Sequence, residues 1–97
     1  MTYSFHPAAL EEYRQAAEYY AGKQPGLEWR FIEAVEEAVR RINEAPLRHS
    51  CVDGEIRRCL TEVFPYAVLY VHEAGHSRIL AVMHGHREPG YWKARTG

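Results

Sequence analysis

The chain has 97 residues, 46% hydrophobic and 26% charged, with a formal net charge of −1. That length fits one small domain spanning residues 1–97, and the balance excludes an intrinsically disordered chain. It also excludes a domain that is basic throughout, the footprint that nucleic-acid binding ordinarily leaves. No apolar run reaches the roughly 20 residues of a membrane span. The first six residues lack the basic and apolar regions of a secretory signal, so a cytoplasmic location is expected. Two cysteines, Cys51 and Cys59, are too few for a disulfide scaffold and read as free thiols in a reducing compartment. Ten Arg stand against two Lys. Arg suits specific phosphate or carboxylate contacts because its planar donor fork stays charged when partly desolvated. A GC-rich genome would give the same bias.

Thr2 to Phe5 alternates and reads as a short first strand. Pro7 suits the first position of a helix, where its missing N–H costs nothing. Leu10, Tyr13, Ala17 and Tyr20 then recur at helical spacing, with Glu11, Glu12, Arg14 and Gln15 placed away from that stripe. Gly22 ends this helix, Lys23-Gln24-Pro25-Gly26 connects, and a second helix runs from about Leu27 to Asn43. The second helix carries Leu27, Phe31, Ile32, Ala34, Val35, Ala38, Val39 and Ile42 over an arc of roughly 160°, wider than the ~100° stripe one core requires. The extra width predicts a second contact, either with the first helix and a sheet or with a separate partner. Two helices joined by so short a connector form an antiparallel hairpin.

Ala45-Pro46 closes the helical part, and Leu47 to Gly54 reads as a polar loop. Three strands follow, over Ile56–Leu60, Tyr66–His72 and Arg78–His84, with Ala74-Gly75 at the place of a two-residue hairpin turn. From that turn, Val68 pairs with Ala81 and Tyr70 with Ile79. One face then holds Tyr66, Val68, Tyr70, Ile79, Ala81 and Met83, and the other holds Ala67, Leu69, Val71, Leu80, Val82 and His84. Both faces are apolar. A single helical hairpin covers one of them, so a second chain is expected on the other or along an edge. The fold class is α+β in the order β-α-α-β-β-β, a helical hairpin packed on a small, mainly antiparallel sheet.

The last strand runs directly into polar and aromatic chemistry: Ile79 through His84, then Gly85-His86-Arg87-Glu88-Pro89-Gly90-Tyr91-Trp92. With Ile56-Arg57-Arg58, Phe64-Pro65-Tyr66, Phe5-His6-Pro7, Tyr19-Tyr20 and Pro25-Gly26-Leu27, this ending resembles the RelE/ParE superfamily of bacterial toxins. The resemblance implies a type II toxin–antitoxin toxin with the element order just given. In the ribosome-dependent RNase branch, basic strand residues and a C-terminal acid–base or stacking residue act on mRNA. The matching candidates here are Arg57, Arg58, His84, Arg87 and Tyr91, with His86 as a further acid–base group. RNA cleavage needs a base for the 2′-OH, cations for the phosphorane and an acid for the leaving oxygen. His has a suitable reference pKa, near ~6.5.

Each candidate has a structural alternative. His84 sits among apolar strand residues, Tyr91 and Trp92 could pack a C-terminal turn against the sheet edge, and Arg57 and Arg58 are adjacent and point to opposite faces. Lys is missing from the sheet strands and the chain is slightly acidic, which departs from the RNase pattern. Phe-Pro-Tyr and His-Gly-x-Arg followed by an aromatic match the ParE-like, plasmid-stabilisation branch better. That resemblance implies inhibition of DNA gyrase without a catalytic residue set, leaving mRNA cleavage on the ribosome as the alternative and a non-toxic, degenerate member as a third.

The resemblance also implies an antitoxin whose C-terminal segment wraps the toxin as a hetero-oligomer. Phe31, Ile32, Val35 and Val39 are the candidates to receive it, and a homodimer using the same surface is the alternative. No cofactor, metal or membrane is implied. His84 and His86 share a strand face, but His72 lies toward the other hairpin end, roughly 25 Å away at ~3.3 Å per residue.

Overall fold

The computed structural model describes residues 2–88 and 90–96. Strand β1 (Thr2–Phe5) leads into helix α1 (Pro7–Lys23), helix α2 (Leu27–Glu44) and strands β2 (Cys51–Asp53), β3 (Ile56–Leu60), β4 (Tyr66–Glu73) and β5 (His76–His84), followed by a 3-10 turn, Lys93–Arg95. The sheet order is β1-β5-β4-β3-β2, with β1 parallel to β5 and the other pairs antiparallel. This is the expected α+β arrangement with one strand added. Among the described residues no helix is long and apolar enough to cross a membrane.

The helix boundaries follow from local chemistry. His6 caps α1 by accepting the Ala8 N–H on Nδ1 at 3.0 Å, and Pro7 occupies the first turn. Gly26 takes φ +88° ahead of α2, a conformation available to glycine at no steric cost. Leu47 to Gly54, expected to be loop throughout, contains β2. Its three residues are all exposed, so no apolar alternation marked it. The signal was Gly54, which opens the two-residue turn Gly54-Glu55 at φ +58°.

The β4–β5 hairpin turns at Ala74-Gly75 as expected, with φ +51° and +76°. Tyr70 pairs with Ile79, but Leu69 pairs with Ala81, so Leu80 is an extra residue in β5. This β-bulge corrects the expected register beyond Tyr70: Val68 faces Val82, and Tyr66 faces His84. It also exchanges the faces. Val82 joins Val68, Tyr70 and Ile79 under the helices, whereas Ala81 and Met83 join Ala67 and Leu69 on the far side.

The helix-side core holds Ala9, Ala16, Phe31, Val35, Ala38, Val39 and Ile42 against Cys59, Val68, Tyr70, Ile79 and Val82. Phe31 is its aromatic hub, 5.0 Å from both Tyr20 and Tyr66 and 5.4 Å from Phe64 between ring centroids. The far face is not left for a second chain. Trp92, 5% exposed, packs there with Ala67, Leu69 and Ala81, and Tyr91, Ile56 and Met83 flank it. The protein's own C-terminal segment is the missing cover. Pro89, which the sequence placed as a backbone constraint ahead of Tyr91, lies outside the described residues.

Candidate functional site

The C-terminal segment is anchored by a charged clamp. Arg95 donates to both oxygens of Glu12 on α1, at 2.9 and 3.1 Å, and to the Leu80 carbonyl at 3.0 Å. The Glu12 Oε1 atom also accepts the Val82 N–H at 3.1 Å. Both side chains are mostly buried, 16% exposed for Arg95 and 19% for Glu12. Such a bidentate pair fixes orientation as well as position. It joins α1, β5 and the tail at one point.

Two guanidinium groups lie over the Tyr91 ring, Arg87 at 4.2 Å and Arg95 at 5.0 Å from the centroid. Burial raises the pKa of its phenol, and the hydrogen bond and negative charge of Glu12 push it further up. Tyr91 is therefore a protonated donor at physiological pH and a poor base. At the end of β5, the His84 Nδ1 atom accepts the His86 N–H at 3.0 Å. The two rings stack at 5.2 Å, and Tyr66 meets His84 edge-on at 5.2 Å. Gly85 donates to the Pro65 carbonyl at 2.8 Å, so Phe64-Pro65-Tyr66 helps steer the chain leaving β5.

The five residues proposed for catalysis do not share one cleft. Arg57 donates to the His49 carbonyl at 2.7 Å, beside the helical layer. Arg58, on the opposite face of β3, lines a groove of about 430 Å³ with Arg87, Lys93, Leu69, Met83 and Trp92. His84 and Tyr91 line a separate groove of about 270 Å³ with Glu12, Tyr19 and Tyr66. Arg87 borders both. Lys93 leans toward Asp53 at 3.5 Å, an exposed pair of little energetic weight.

Of the residues expected to receive an antitoxin, three lie inside the fold. Phe31 and Val35 are 0% exposed and Val39 is 3% exposed, because the wide apolar arc of α2 is used by α1 and the sheet. Ile32 alone reaches the surface. It lines an apolar groove of about 520 Å³ with Pro7, Leu10, Tyr13 and Ala17. Leu10, read as core, is 55% exposed at this groove.

Glu12 and Arg95 were missed as a pair. Glu12 falls on the stripe of Ala9 and Ala16, both buried, at spacings of three and four. A carboxylate in line with two small buried residues was the available signal. Its partner 83 positions away was not legible. Cys51 is exposed and Cys59 buried, both as free thiols. No group of three or more potential metal ligands occurs among the described residues.

Comparison with curated protein sequences gives no significant match. A solved structure described as the chromosomal ParDE TA system from P. aeruginosa matches with a TM-score of 0.63, covering 87% of this chain and 95% of that one. At 12% identity the likeness is one of fold. The model of the ParE toxin of the type II toxin–antitoxin system parDE matches residues 3–89, nearly the whole chain. The chain belongs to the ParE toxin family.

Proposed function

We propose that the chain arrests growth by binding a protein target, with DNA gyrase as that target, and that a cognate antitoxin neutralises it. One observation carries this reading: the cationic and acid–base side chains are dispersed. Arg57 is spent on a loop carbonyl, Arg58 and Lys93 line one groove, and His84 and Tyr91 line another, with Arg87 at the border of the two. The phenol of Tyr91 is held protonated beside Glu12. RNA cleavage would need a base, an acid and phosphate-binding cations around one atom. Binding needs only that the groups be displayed.

The apolar groove of the helical hairpin supports an antitoxin site. Leu10, Tyr13, Ala17 and Ile32 offer a concave strip on which an amphipathic segment could fold. The structural neighbour, described as a ParDE toxin–antitoxin system, supports an antitoxin as a partner.

The test is supercoiling of relaxed plasmid DNA by gyrase with purified toxin, repeated after antitoxin addition. Inhibition that the antitoxin reverses is the expected result. A folded, growth-arresting chain that leaves gyrase untouched but cleaves mRNA on ribosomes would overturn the gyrase assignment. Arg58 and Arg87 would then be the first residues to mutate.

A further inference from the structure

The β3–β4 connection, Thr61 to Pro65, contains the least expected backbone of the molecule. Val63 has φ +70°, and the Phe64 N–H donates to the Glu62 carbonyl at 2.8 Å across it. That is a γ-turn of the rare, strained hand. A β-branched residue is among the least suited to positive φ. Val63 is nonetheless 88% exposed, so no burial of its own offsets the strain.

The surroundings hold the loop in place. Phe64 packs its ring 4.9 Å from Tyr20 and 5.4 Å from Phe31. The Thr61 hydroxyl is placed to bond the Phe64 carbonyl at 2.7 Å, and it also lies 3.1 Å from the Tyr66 carbonyl. The tip is thus a small apolar knob on a fixed base. Strain kept where glycine or asparagine would relieve it points to use of the side chain.

The knob borders a charged surface. Glu62 and Val63 line a groove with Arg30, Glu33, Glu36, Glu37 and Arg40 of α2; the groove is net acidic at four carboxylates against two guanidinium groups, and Arg40 is paired with Glu37. Trp29 precedes Glu33 by one helical turn and is 69% exposed. Val63 and Trp29 are the two most exposed large hydrophobic side chains among the described residues. Apolar anchors beside an acidic strip fit a protein with an apolar socket and a basic rim, and they repel nucleic-acid phosphates.

We propose that Val63 and Trp29, with the acidic strip of α2, form the surface by which the toxin engages its protein target. This inference rests on the reading that growth arrest comes from binding a protein. A rigid, convex tip suits a preformed concavity on a folded target. An antitoxin segment is better served by the concave groove at Leu10 and Ile32.

Val63→Gly and Val63→Asn test the proposal, because both residues accept positive φ. Either variant should melt no lower than wild type, and as much as about 5 °C higher through strain relief. Each should need about tenfold more expressed toxin for growth arrest, with antitoxin affinity unchanged. Trp29→Ala should lose arrest similarly without loss of folding. Full arrest by a stable Val63→Gly chain would overturn the inference, as would lost antitoxin binding with arrest retained. Growth arrest does not depend on which protein is the target, so failure of gyrase inhibition alone leaves this test intact. A folded wild-type chain that arrests nothing would overturn both readings.

Discussion

Substitution of Arg95 by Met removes the clamp while keeping much of the aliphatic stem. The loss comprises two charged hydrogen bonds to Glu12 and one to the Leu80 carbonyl. Breaking a buried pair costs about 3–5 kcal/mol, and an exposed pair contributes about 0–1. With both partners under one-fifth exposed, the expected cost lies between these, about 2–3 kcal/mol. For a domain of this size that is a fall in Tm of roughly 10–20 °C. Glu12→Gln should cost less, about 1–2 kcal/mol, because the amide oxygen can still accept the Val82 N–H.

Exchanging the charges, Glu12→Arg with Arg95→Glu, should fail to restore stability. An arginine at position 12 offers Val82 no acceptor. Thermal and urea unfolding by circular dichroism measure these costs. A Trp29→Phe background leaves Trp92 as the sole indole, and its emission reports whether the tail undocks before the core melts. Arg95→Met and Glu12→Gln each within about 0.5 kcal/mol of wild type would refute the clamp. So would full rescue by the charge exchange.

Three further outcomes follow from the geometry. Leu10→Asp should leave the melting temperature nearly unchanged, since Leu10 is half exposed, while weakening antitoxin binding at least about tenfold by calorimetry. An unchanged Kd would move the antitoxin to another face. Arg57→Ala should destabilise by about 1–2 kcal/mol in urea, because the His49 carbonyl loses a charged donor. Arg58→Ala should stay within about 0.5 kcal/mol, and equal costs at the two positions would contradict their assignment to opposite faces. At high pH, burial holds the Tyr70 phenol up to about 12, against about 10 in the unfolded chain. The native state then binds more protons than the unfolded one, so this contribution is intact below pH ~10 and is lost as pH rises toward 12. The tyrosinate absorbance contributed by Tyr70 should therefore rise together with loss of helical signal. Ionisation of every tyrosine in a still-folded chain would sink the assignment.

The sequence displayed most of this fold because its main elements follow one-dimensional rules. Pro7 after a capping His6, Gly26 at positive φ and a turn at Ala74-Gly75 each act within a few residues. What stayed hidden was non-local. The bulge at Leu80 leaves no mark in an unbroken apolar run, yet it moves Ala81, Val82 and Met83 to the faces opposite those that simple alternation assigns. The arc of Phe31, Val35 and Val39 was rightly read as broader than one contact needs. Periodicity alone could not say that α1 and the sheet together consume it. Leu10 shows the converse error: it satisfied the helical stripe and still faces the surface. Of the site, the residue types were visible, but their division between two grooves depended on strand register.

The C-terminal segment changes what stability and toxicity can share. Tyr91 and Trp92 close the far face of the sheet, and the same segment carries Arg87 to the edge of both grooves. Destabilising the clamp should therefore misplace Arg87 as well, so loss of activity in Glu12 or Arg95 variants would not by itself assign either residue to target contact. Val63 behaves in the opposite sense. Its strained turn lowers stability while leaving the tail untouched, so relieving that strain should raise the melting temperature and reduce arrest in the same molecule. A residue that merely supports the fold cannot give that pair of signs. The sign of the stability change, measured beside growth arrest, therefore separates surface that meets the target from scaffold that holds it in place.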